Sequence, residues 1–177
     1  MAIKNKLPSL SQTYPVYAVI VILTYGWTIY WALWELPSWL NYLPLGEIGA
    51  VFCYLLATNL VESLIALAGT VLVSLVLPQK WYRDVFVSRG SVLAATVLIC
   101  IAVFAYHFES PADYFSKFPV YLPWILLLAA LLAFLSGWIH ILRRGVEIFA
   151  ENAVIFLFLS VPLSLLSVAV VIVRNLL

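Results

Sequence analysis

Residues 48–77 read IGAVFCYLLATNLVESLIALAGTVLVSLVL, thirty residues with no lysine, arginine or proline and a single acid, Glu62. About 20 apolar residues in an α-helix already cross a hydrocarbon core of ~30 Å, so this stretch reads as a membrane span. A carboxyl at bilayer depth is costly, and by default it marks a functional site or a specific packing contact. The helical period sorts its neighbours. Asn59, Glu62, Ser63, Ala66, Thr70 and Ser74 recur at intervals of three and four and share one face, opposite Leu60, Leu64, Leu67, Val71 and Leu75. Ala66, Thr70 and Ser74 form a small-xxx-small ladder, the pattern that lets helix backbones approach closely in a bilayer.

The rest of the chain is built alike. Its 177 residues are 66% apolar and 10% charged, against about 45–50% and ~25% in soluble domains. Five apolar runs, at about 14–34, 48–77, 92–108, 122–142 and 153–173, predict an all-α integral membrane protein. The expectation is five transmembrane helices in one bundle, a single membrane domain over 1–177. The first run ends in aromatics with no small-residue cleavage site, so it reads as a retained helix rather than a signal peptide.

Basic residues sort by loop. Lys4, Lys6, Lys80, Arg83, Arg89, Arg143 and Arg144 fall on one side of the alternating runs, and only Lys117 and Arg174 on the other. By the positive-inside rule the N-terminus is cytoplasmic and the C-terminus outside, in what is read as a bacterial plasma membrane. The outer segments 35–47 and 109–121 are acidic and aromatic. Trp31, Trp34, Trp39, Tyr42, Tyr114, Tyr121 and Trp124 gather there as interfacial anchors. Pro37 and Pro44 bracket a segment expected to lie in the interface. On the inner side, 78–91 mixes basic and aromatic residues, suited to anionic headgroups. Over 143–152, either Arg143 pairs with Glu147 on a helix or Gly145 ends that helix.

The net charge of +1 leaves no basic patch for nucleic acid. Cys53 and Cys100 sit in apolar runs without CxxC spacing and read as packing residues, not as a disulfide or metal site. The chain has no GxSxG, HExxH, CxxCH or glycine-rich phosphate loop, so it is expected to be non-catalytic, with no cofactor or metal predicted. His107 and His140 fall on opposite sides of the membrane and cannot share one metal or haem. The candidate contacts for a hydrophobic cofactor (a quinone, pigment or lipid) at the outer aromatic cluster are His107, Trp124 and Trp34. Those for a lipid headgroup are His140, Arg143 and Arg144.

At the depth of Glu62 the other runs offer Thr24, Tyr25, Thr28, Cys100, Ser136, Ser160 and Ser164, but no lysine, arginine or histidine. An ionised carboxylate there would be unpaired, the expensive state. Asn59, Glu62 and Ser63 are therefore expected as neutral polar contacts in a helix seam. A second stripe, Ser160, Ser164 and Ser167, marks another packing face, with hydroxyls placed to take up carbonyls freed by Pro162.

In length and aromatic content the chain is similar to the small substrate-binding membrane subunits of vitamin uptake transporters. That resemblance implies six spans where five are counted, and no motif carries a residue across. The expected function is that of an accessory or scaffolding subunit, acting through the lipid bilayer and other membrane subunits or a second copy of itself. The alternative is a small transporter or channel using Asn59 and Glu62, and a further one is the binder of a hydrophobic cofactor. The topology has a direct check. Single cysteines at Ser9 and Leu43, in a chain with Cys53 and Cys100 replaced by alanine, should react with an impermeant maleimide from opposite sides of sealed vesicles. Labelling from one side alone would overturn the topology.

Overall fold

A computed structural model describes residues 8–77, 82, 85–108 and 111–176. Lys4, Lys6, Lys80 and Arg83, which enter the charge asymmetry, and the start of the 109–121 segment lie outside these residues. The described residues form six helices and no strand: α1 (Leu10–Tyr42), α2 (Leu45–Val76), α3 (Phe86–His107), α4 (Pro111–Trp138), α5 (His140–Ala153) and α6 (Ile155–Leu176). All but α5 are long and apolar enough to cross a membrane. With 14 residues and a charged face, α5 is not a sixth span.

Several boundaries differ from expectation, each for a local reason. α1 runs through Pro37 to Tyr42, and no separate interfacial segment follows. The Leu43 N–H closes α1 on the Trp39 carbonyl at 2.7 Å, and Pro44, which needs no donor, begins α2 at once. Proline is likewise no barrier in α4, which starts at Pro111, passes Pro119 and Pro123, and turns the expected loop after 110 into helix. α4 stops at Trp138 rather than at 142, because Ile139 takes an extended backbone (ψ 109°) and starts α5. Gly145 then lies inside α5, and Arg143 Nε meets Glu147 Oε1 at 2.9 Å. α3 begins at Phe86 instead of 92, so Arg89 and Ser91 enter a helix and are buried.

We call the end of the bundle where α1 starts the lower end. There α1 is the core: Val16, Tyr17, Ala18, Val19, Ile20 and Val21 are consecutive and all buried. A run that buries every side of a helix must be wrapped by neighbours, and α2, α3, α5 and α6 all pack on α1. Val16 and Ile20 join Tyr82, Phe86 and Ala94 in one cluster, while Tyr17, Val21 and Tyr25 pack with Leu56, Leu157 and Val161 in another. The small-residue ladder of α2 seats here. A Cβ added to Gly90 of α3 would lie 3.5 Å from Thr70 and 3.4 Å from Val16. At the upper end Arg174 of α6 reaches Glu47 of α2 at 2.8 Å, and Tyr54 bonds Asn175 beside them.

Arg89 is only 8% exposed, and its guanidinium lies against the Gly137 backbone of α4. A Cβ at 137 would sit 2.6 Å from Nη2 and 2.7 Å from Cζ, closer than real atoms come. Gly137→Ala therefore has to displace the guanidinium from its place against α4, and it should be less favourable than alanine at an open helical glycine. At Gly69 a Cβ meets nothing within 4 Å, so Gly69→Ala should be neutral or stabilising by up to ~1 kcal/mol. Reversible unfolding in mixed micelles measures both; equal effects at the two glycines would refute the Arg89 contact.

Candidate functional site

Polar contacts between α1 and its neighbours set the register at mid-bundle. Tyr17 Oη and Ser63 Oγ lie 3.3 Å apart, the Thr28 hydroxyl donates to Asn59 Oδ1 at 2.8 Å, and Tyr25 Oη meets Ser164 Oγ at 2.7 Å. These tie α1 to α2 twice and to α6 once. Several other hydroxyls turn back on their own helices, as Ser160 does to the Phe156 carbonyl and Ser167 to that of Leu163. The carbonyl that Pro162 leaves free belongs to Phe158, four residues before it, and Ser160 does not take it up. Asn59 is 2% exposed, and its Nδ2 has no partner among the described residues.

Glu62 does not join this seam. It is exposed in the chain, and no hydrogen bond or ion pair reaches it among the described residues. The reason is angular. At about 100° per residue, Asn59, Ser63, Ala66, Thr70 and Ser74 fall within an arc of ~80°, and Glu62 lies ~40° beyond its edge. The expected polar trio is thus divided, with Asn59 and Ser63 inside and Glu62 at the side.

Beside Glu62 runs a groove of about 710 Å³, walled by α1 from Ile22 to Tyr30 and by α3 from Leu98 to Ala105. It lies above the cluster of Val16, Ile20 and Phe86 that joins α1 to α3 at the lower end. Thr24, Trp27, Thr28 and Tyr30 face it, and Glu62 is its one acidic lining residue. The Thr24 hydroxyl is held by the Ile20 carbonyl at 3.0 Å, and that of Thr28 by Asn59. The Glu62 carboxyl, the Tyr30 hydroxyl and the Trp27 indole N–H are the polar groups left to act on a guest. A cleft of this size, mostly apolar with a few polar groups, matches the ~300–1,000 Å³ of ligand-binding sites.

The other candidates are placed separately. His107, Trp34 and Trp124 are exposed on α3, α1 and α4, and no ring contact joins them among the described residues. Rings gather elsewhere: Phe104 lies 4.4 Å from Phe108, 5.3 Å from Tyr114, 5.6 Å from Phe118 and 5.5 Å from Tyr121, centroid to centroid. Tyr114 and Tyr121 thus clasp α4 to α3 rather than standing alone as interfacial anchors. The signal was present as Phe104/Phe108 and Tyr114/Phe118/Tyr121 at helical spacing. His140, Arg143 and Arg144 do come together, with Glu147, around a crease of about 380 Å³ on α5. Near them Tyr82 packs edge-on to Phe86, and burial pushes its phenol far upward, opposed by the Arg89 charge. No three His, Cys, Asp or Glu side chains are grouped to hold a metal among the described residues.

No family model, curated protein or solved structure matches this chain.

The α1–α6 contact is open to measurement. Tyr25→Phe and Ser164→Ala should each cost about 0.6–2 kcal/mol, the range for hydrogen bonds between membrane helices. The double variant should cost less than their sum, since both remove one bond. Strict additivity in the same unfolding assay would show that the bond is not made.

Proposed function

We propose that the chain is a non-catalytic subunit of a larger membrane complex, one that receives a partner's transmembrane helix along the upper half of α1. The observation that carries this reading is Glu62, near the middle of the 32-residue α2, which lines a groove open at the side and has no partner among the described residues. Hydrocarbon cannot hydrogen-bond a carboxyl, and an unmet polar group there costs about 2–7 kcal/mol. A helix carrying an N–H or O–H donor at that depth removes the penalty and fixes its own register. Gly26, Ala102 and Ala105 line the groove with small side chains, which allow a backbone to come close. Trp27, Ile29, Tyr30, Trp31, Leu33 and Trp34 continue the same uncovered surface upward. The reading includes an inner location for the basic lower end, which rests on the charge asymmetry.

A second reading has its own observation. The Trp27 and Tyr30 rings line the groove together with the carboxyl, and aromatic faces beside an acid recognise ammonium groups. On that reading the guest is a lipophilic amine. Transport by Asn59 and Glu62 acting jointly draws less support, since one is buried in the seam and the other faces the groove.

A photo-crosslinking residue at Ala102, inside the groove, is compared with one at Val170, on the exposed face of α6. The expected result is a discrete cross-linked polypeptide from position 102 alone, reduced about tenfold by Glu62→Leu and largely retained in Glu62→Gln, whose carboxamide still hydrogen-bonds. A monomer without cross-links sinks the subunit reading. An amine recovered at fixed stoichiometry from the purified protein replaces it with the second.

A further inference from the structure

We propose that the corner between α4 and α5 binds the phosphate headgroup of an anionic phospholipid, with Arg144 and His140 as its direct contacts. The inference draws on the lower end of the bundle and is independent of the groove around Glu62.

α5 is laid out in three sectors. At about 100° per residue, His140, Arg143, Arg144, Glu147 and Glu151 occupy one arc of ~100°. Ala150 and Ala153 are buried against the bundle, while Ile141, Ile148 and Phe149 are exposed on the remaining side. Ile141 alone is 83% exposed. Apolar side chains uncovered beside a charged arc need hydrocarbon and headgroups at once, which places such a helix in the interface.

Two arginines and two glutamates share that arc but not the same turns: Arg143 and Arg144 lie at its start and Glu151 about 10 Å further along the helix from Arg144. Glu147 is committed to Arg143 at 2.9 Å, which leaves Arg144 and His140 without a hydrogen bond or ion pair among the described residues. Gly137, three residues before His140, lets the Arg89 guanidinium lie against the α4 backbone, near enough to Arg143 for the two charges to repel. A crease of about 380 Å³ lined by His140, Arg143, Arg144 and Glu147 opens on α5 next to where α4 ends. Basic pockets of this kind between membrane helices suit phosphate headgroups. A lipid, rather than free phosphate, is the occupant the surface fits: the exposed Ile141 and Ile148 lie next to the charged arc and give acyl chains a place that an inorganic ion cannot use.

The test uses the full chain in neutral detergent, with bound lipid counted by native mass spectrometry. Phosphatidylglycerol is expected to bind about tenfold more tightly than phosphatidylcholine, with equal inorganic phosphate failing to compete. His140→Gln with Arg144→Gln should abolish the preference, and Arg144→Lys with His140 intact should keep most of it. Glu147→Gln, which frees Arg143, should increase it. Equal binding of the two lipids, or an undiminished preference in the double variant, overturns the site. Competition by inorganic phosphate at equal concentration overturns its assignment to lipid. Folding of each variant is checked by its unfolding midpoint, and Arg144→Lys controls for a purely structural loss.

Discussion

Everything in this bundle depends on the burial of α1 between Val16 and Val21. Lipid tails are as apolar as leucine, so no hydrophobic force drives these helices together once they are in a bilayer. What remains is close packing and the few hydrogen bonds that cross between helices. Tyr17, Tyr25 and Thr28 all project from α1, and each meets a hydroxyl or amide on a neighbour. α1 is thus the common partner on which α2 and α6 are registered.

The polar chemistry separates accordingly. Most hydroxyls inside the seam pair across it or turn back on their own helices, and they hold structure. Two sets of groups without a partner among the described residues line a groove or a crease: Glu62 at the side of the bundle, and Arg144 with His140 at its lower corner. A fold that hides its hydroxyls but leaves these charges outward is arranged to meet other molecules through them.

Much of this was legible in residues. The apolar runs gave five long helices, and the spacing of Asn59, Ser63, Thr70 and Ser74 marked the face that is buried. Glu62 was placed with them because intervals of three and four describe a face only coarsely; the accumulated angle separates it. Pro37 reads as the edge of an interfacial segment, yet it sits inside α1, as Pro119 and Pro123 sit inside α4, where losing one backbone bond is tolerable. The burial of Arg89 had no local signal. It depends on Gly137, forty-eight positions away, lacking a side chain. The amphipathic helix after Ile139 was undecided for a similar reason, since neither a glycine nor an ion-pair spacing says where a backbone bends.

The contact between Tyr25 and Ser164 joins residues 139 positions apart, the first helix to the last. During synthesis α1 reaches the bilayer well before α6 exists. At about 5–20 residues per second that interval is on the order of ten seconds. Through it, the part of α1 that faces α6 is bare, and the Tyr25 hydroxyl has no Ser164 to meet. The helix most deeply enclosed in the finished protein is therefore the one most dependent on whatever attends the chain while it is being made.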